Sequence, residues 1–259
     1  NGLTVWVLPR EDGPPMIHYV LVVRGGLAVD PVFQPGLSTL LASLLKEGTA
    51  SRSALKIAQD LQSYGGDMSA SAGVDGITIS ASALASNATR LIVLLSEVAL
   101  QPAYSPREVE LGKLNAMQAL AAAQSDPDYL ARRAMGQLVF GTHPYGHVLP
   151  TQGSLASVTP EMLHAEHDRR FRPDQALLVV TGRIAPDQAF RLADSVFADW
   201  HADGDPLSPT SAVPDQPVPR REFVERERSV QSAIRIGRVG IAADSPDYFP
   251  LQLANAILG

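Results

Sequence analysis

Residues 36–49 read Gly-Leu-Ser-Thr-Leu-Leu-Ala-Ser-Leu-Leu-Lys-Glu-Gly-Thr, and the leucines decide what this segment can be. Leu37, Leu40, Leu41, Leu44 and Leu45 fall at i, i+3, i+4, i+7 and i+8, the stripe by which an amphipathic helix packs on a core. On the opposite side, Thr39, Ala42 and Ser43 stand at i, i+3 and i+4, so they are expected to point the same way. That face offers two hydroxyls and a methyl. Zinc requires imidazole, thiolate or carboxylate donors, and general-base catalysis requires a titratable group beside the reacting water. Neither is present.

The segments around this helix alternate between strand and helix patterns. Residues 3–8 and 17–24 are β-branched-rich runs bounded by Pro, Gly and Asp, and are predicted strands. A helix is predicted over 51–64, opened by a serine cap and stopped by Gly65-Gly66. Residues 66–73 and 76–84 then form a predicted hairpin with alternation in Ile77-Thr78-Ile79-Ser80. Further helices are predicted over 86–100, over 106–125 from the cap Ser105 with Pro106 at its first position, and from Asp126-Pro127 to Phe140. A turn-rich loop, 141–147, precedes a helix carrying His164, a strand over 176–181 and a helix over 186–200.

With 45% hydrophobic and 19% charged residues, the chain of 259 residues is expected to build an ordinary globular core. Its net charge of −6 gives no electrostatic footprint for nucleic acid and no basic cluster for an anionic membrane. No apolar run has the length of a membrane span. With no cysteine, disulfides, thiolate metal sites and a catalytic thiol are excluded.

Several passages, in order, resemble the pitrilysin/insulinase and processing-peptidase family: the opening Asn1-Gly2-Leu3-Thr4-Val5, Val23-Arg24-Gly25-Gly26 before the leucine-striped helix, the strands after Gly65-Gly66-Asp67, His143-Pro144-Tyr145-Gly146, and Arg172-Pro173-Asp174-Gln175. That family carries an inverted zinc motif, His-x-x-Glu-His, on the helix where this chain has Thr39, Ala42 and Ser43. The third family ligand, from a Glu-Glu pair some seventy residues on, falls on Gln118 and Ala119. The resemblance therefore implies a non-catalytic member with five degenerate positions, no metal and no cofactor. It further implies an α+β fold, a mostly antiparallel sheet with helices on one face. It makes residues 1–202 a peptidase-like domain, 203–219 a Pro-rich linker and 220–259 the beginning of a second similar domain, truncated, with opening strands at 221–228 and 230–237 and a helix over 249–258.

The function implied is to bind an extended peptide along a sheet edge and to pair with an active zinc-bearing subunit, or to self-associate, with no nucleic acid and no membrane span. The residues assign no compartment, and only family analogy favours the bacterial periplasm. Two alternatives stay open: an active zinc endopeptidase with relocated ligands, and a structural assembly subunit like the core proteins of a respiratory complex. For relocation, His164, Glu166 and His167 cluster on a predicted helix, but Asp168, Arg169 and Arg170 follow and mark a solvated helix end. His143 and His147 sit in a loop that turns the chain. Ser38, Thr39 and Ser43 lack a Gly-x-Ser-x-Gly elbow, and Asn87 of the Asn-Ala-Thr sequon is read as a turn or cap residue.

Overall fold

The computed structural model describes residues 1–10, 12–213, 219–225 and 231–258. Five strands share one mixed sheet: β1 (Thr4–Pro9), β2 (Met16–Arg24), β3 (Asp67–Ala72), β4 (Gly76–Leu84) and β5 (Ala176–Gly182), in the order β1-β5-β2-β4-β3. All pairs are antiparallel except β1 with β5. The hairpin predicted over 66–84 is β3–β4, closed by the turn in which the Gly73 amide donates to the Gly76 carbonyl at 2.8 Å. β1 and β2, consecutive in sequence, are not neighbours; β5 enters between them after more than a hundred intervening residues.

One face of the sheet is dry. Ile17, Tyr19, Leu21 and Val23 of β2, Ile77, Ile79, Ala81 and Ala83 of β4, and Leu178 and Val180 of β5 are buried, the period-two signature of a half-covered strand. Helices cover this face: α1 (Leu37–Leu44) lies against β3 and β4, α3 (Ala88–Leu100) against β4, and α8 (Pro186–Phe197) against β1. The leucine stripe of α1, all five residues buried, supplies the middle of the core. The remaining helices are α2 (Ala54–Ser63), α4 (Pro106–Gln124), α5 (Pro127–Phe140), α6 (Gln152–Ala156), α7 (Pro160–Arg170) and α9 (Tyr248–Leu258). The architecture is α+β.

Helix starts follow side-chain chemistry. The Asp126 carboxylate accepts from the Asp128 amide, and Thr159 accepts from Met162 with Pro160 behind it. The helix predicted from residue 51 begins instead at Ala54, capped by Ser53. The cause is a tertiary contact: Thr49 and Ser51 donate to the Glu97 carboxylate, and Arg52 pairs with Glu97 and with Asp60, which holds 49–52 out of the helix.

The strands expected at 221–228 and 230–237 are not formed in their described parts, 221–225 and 231–237; residues 226–230 lie outside the described residues. A strand needs a partner to satisfy its backbone, and none is offered there. From 201 to 247 the described residues carry no helix or strand. Between 203 and 213 the chain is nevertheless tied down. Arg172 donates to the carbonyls of Asp203 and Gly204, Gln175 exchanges two hydrogen bonds with Leu207, and His143 bonds the Ser211 carbonyl.

Candidate functional site

The helix that carries the candidate site is set by its N-terminus. Gly36 stands at φ 91°, a left-handed conformation, and a Cβ there would lie 2.7 Å from the Cβ of Pro150, so only glycine fits. The Gly36 and Ser38 amides donate to the Asp30 carboxylate at 3.1 Å, a remote acid in the role of a cap and opposite in sign to the helix N-terminus. Asp30 is itself held by Arg170 at 3.0 Å, and Arg170 also donates to Ser38 Oγ and to the Gly25 and Gly26 carbonyls.

On this helix Thr39 and Ser43 are exposed, whereas Ala42 is fully buried. The expectation that all three share one open face is thus corrected at Ala42. At about 100° per residue, Ala42 lies roughly 60° round from Thr39, on the side where Ser38 and Leu45 are buried, and its methyl is small enough to be covered. Ser43 Oγ donates to the Leu40 carbonyl of its own helix at 3.0 Å. On α4 the buried positions are Val109, Lys113 and Leu120, while Gln118 and Ala119 are exposed. α4 meets α1 at Gly112, where a Cβ would come within 2.9 Å of Leu44. The five positions are therefore divided, four at the surface and one closed into the core.

These residues do not fit a zinc ion. Two hydroxyls, a carboxamide and two methyls offer no imidazole and no carboxylate, and the position of a catalytic base is a methyl with no solvent around it. Among the described residues no group of three or more His, Cys, Asp or Glu side chains is placed to hold a metal ion.

The segment 164–170 is not the solvated helix end that its charges suggest. Arg170 is 0% exposed and His167 is buried. His167 Nε2 bonds the Ala99 carbonyl at 2.8 Å and its ring stacks on Phe171 with centroids 4.2 Å apart. Burial holds the imidazole below its ordinary range, against the opposing pull of the Ala99 carbonyl and Asp168. Glu166 is taken up by Arg169 and Arg170, both at 2.6 Å. Burial alone would raise its carboxyl, but the hydrogen bonds and charges of the two arginines outweigh it and the net direction is down. His164 meets only the edge of Tyr104, with centroids 5.2 Å apart. His143 accepts from the Tyr145 amide through Nδ1, which assigns its Nε2 hydrogen to the Ser211 carbonyl. His147 ends a short 3-10 turn, Pro144–His147.

The sequence did not announce the set Asp30, Ser38 and Arg170, whose side chains are buried together with the half-buried Glu166 beside them. Its signal was an arginine at the end of a helix among other charges, which looks the same whether it is buried or solvated.

Comparison with known proteins agrees with this frame. The family model described as insulinase (peptidase family M16) matches residues 7–149, and the one described as the peptidase M16 inactive domain matches residues 157–259. An uncharacterised zinc protease of Mycobacterium leprae is 28% identical over 163 residues, covering 62% of this chain and 37% of its own. A non-peptidase homolog, YmxG, of Helicobacter pylori is 26% identical over 178 residues, covering 68% and 41%. The chain thus spans less than half the length of these relatives. The crystal structure of a peptidase M16 inactive domain from Pseudomonas fluorescens superposes with a TM-score of 0.74 over 83% of this chain and 52% of that one, at 23% identity, and so shares the fold. With more than half of its residues matched by the insulinase model, and the leucine-striped helix inside that match, the chain belongs to peptidase family M16.

Proposed function

We propose that this chain is part of a non-catalytic M16 homologue that holds an extended peptide and works beside a zinc-bearing relative. The observation that carries the reading is Ala42, a buried methyl at the place where the family sets its catalytic glutamate, flanked by Thr39 and Ser43 in place of histidines. No group at these positions activates water. The name of the Helicobacter relative, a non-peptidase homolog, supports the same reading.

Peptide capture has a candidate edge. β3 pairs only with β4 among the described residues, so its outer backbone groups are available to an added strand. α1 lies alongside β3, so a peptide at that edge runs past the surface that carries Thr39 and Ser43. In this reading residues 1–202 form the complete domain, 203–219 the linker and 220–259 the opening of a second domain.

Metal analysis and a peptidase assay test it together. The purified chain is expected to hold no stoichiometric zinc after dialysis and to cleave no quenched peptide. One tightly held zinc per chain, lost on His164→Ala and His167→Ala, overturns the proposal. Partnership is tested by co-purification. A His-x-x-Glu-His protein in the complex supports the pairing, and a membrane complex instead supports an assembly role.

A further inference from the structure

A cavity of about 590 Å³ lies between α5, the loop at 145–149, the segment before α1 and the β3–β4 turn, within the ordinary range for ligand sites. Val32, Val74, Met135, Phe140 and Leu149 make most of its wall apolar. Three arginines, Arg132, Arg133 and Arg235, also line it, against one carboxylate, Asp75. These charges are not equally available. Asp75 accepts from the Tyr145 hydroxyl at 2.7 Å. Arg235 is spent on Asp128, with two contacts at 2.6 Å, and Arg132 lies over the Tyr129 ring at 5.8 Å. Arg133 is half-buried and has no acidic partner among the described residues.

The cavity is also continuous with the candidate peptide edge. β3 ends at Ala72, and the next residues of the turn, Val74 and Asp75, form the cavity wall. At roughly 3.3 Å per residue, a strand laid along β3 reaches the cavity within two or three residues of passing Ala72.

We propose that this cavity is a side-chain site for the captured peptide, selecting an apolar residue and, two positions along the strand so that both face the same way, an acidic one whose carboxylate pairs with Arg133. The apolar wall buries the first side chain. The unpaired, half-buried guanidinium supplies a charge-assisted fork for the second and disfavours a lysine at the same place. The inference rests on the capture reading, and its test is arranged so that the two fail differently.

Three labelled twelve-residue peptides, identical except for a central Leu-Ala-Glu, Leu-Ala-Gln or Leu-Ala-Lys, are titrated with the whole chain and read by fluorescence anisotropy. The Leu-Ala-Glu peptide is expected to bind at least about tenfold tighter than the Leu-Ala-Lys peptide at low salt, with the difference shrinking as salt rises. Arg133→Gln is expected to erase the preference and Arg133→Glu to invert it, each variant being checked by its thermal unfolding. Because wild-type discrimination among the peptides is itself a readout, a variant that fails to fold does not shelter the claim. Equal binding of the three peptides to the wild type, or an undiminished preference in folded Arg133→Gln, overturns the cavity assignment and leaves capture standing. Binding of none of them overturns capture, and this inference with it.

Discussion

Ala42 and Arg170 show how a single position is decided by its surroundings rather than by its type. Ala42 has no room to be anything larger. Ala42→Glu forces a carboxylate into a site closed by the leucine core, and a loss of at least about 3 kcal/mol is expected in urea unfolding. Thr39→Glu, one turn away at the surface, is expected to stay within about 0.5 kcal/mol. A similar small cost for both would show that the catalytic position is open after all. Arg170 is the opposite case, a charge that must be kept. Arg170→Met leaves the nearly buried Asp30 carboxylate uncompensated, at an expected cost of about 3–5 kcal/mol, and the Asp30→Asn, Arg170→Met double variant is expected to lose less than the sum of the singles. The identities of the degenerate positions were legible in the sequence because they sit in a fixed frame of leucines. The Asp30–Arg170 pair was not, because residues 140 apart in the chain meet only when α7 is laid against the start of α1.

At the level of elements, α7 is tied to the end of α3 through His167, a buried histidine whose surroundings disfavour the added proton. His167 is neutral in the folded chain because burial disfavours the imidazolium. In the unfolded chain the same ring titrates near its ordinary value of about 6.5. Below that pH the unfolded state therefore gains a proton that the folded state refuses. The contribution is complete above about pH 6.5 and is lost as the pH falls toward the depressed folded value. The urea midpoint is expected to drop between pH 7.5 and 5.5, and His167→Gln, which keeps a donor for the Ala99 carbonyl, is expected to flatten that slope. An unchanged slope in the variant would place the titration elsewhere. A helix start was legible here where a cap announces it, as at Asp126. Strand order was not, since nothing in residues 176–182 says that this run enters between β1 and β2 rather than at an edge. The α2 start shifted for a similar reason, because Glu97 on a distant helix draws Thr49, Ser51 and Arg52 to itself.

For the molecule as a whole, residues 1–200 and the stretch beyond 219 behave differently in the way they dispose of apolar surface. In the first, a buried core between the sheet and its helices coexists with exposed Trp6, Val32, Phe33 and Leu55; in the second, Phe223, Ile234, Ile236, Phe249, Leu253, Ile257 and Leu258 are all exposed, and no residue of α9 is buried. The period that makes α9 a helix was readable, but a helix or strand pattern states only that a face must be covered, not what covers it. So much exposed apolar surface has a direct consequence in solution. The chain is expected to bind a hydrophobic dye and to self-associate at micromolar concentration, by light scattering or sedimentation. A shorter chain ending at Val213 retains the sheet, the helices α1–α8 and the ties from Arg172, Gln175 and His143; among the contacts it loses are the surface ion pair of Arg235 with Asp128, worth about 1 kcal/mol or less, and the packing of Gly237 on Met135. It is therefore expected to be monomeric and to keep its melting temperature within a few degrees. If removing the segment instead unfolds residues 1–213, the exposed side chains support the first domain, and the division of the chain near residue 202 is wrong.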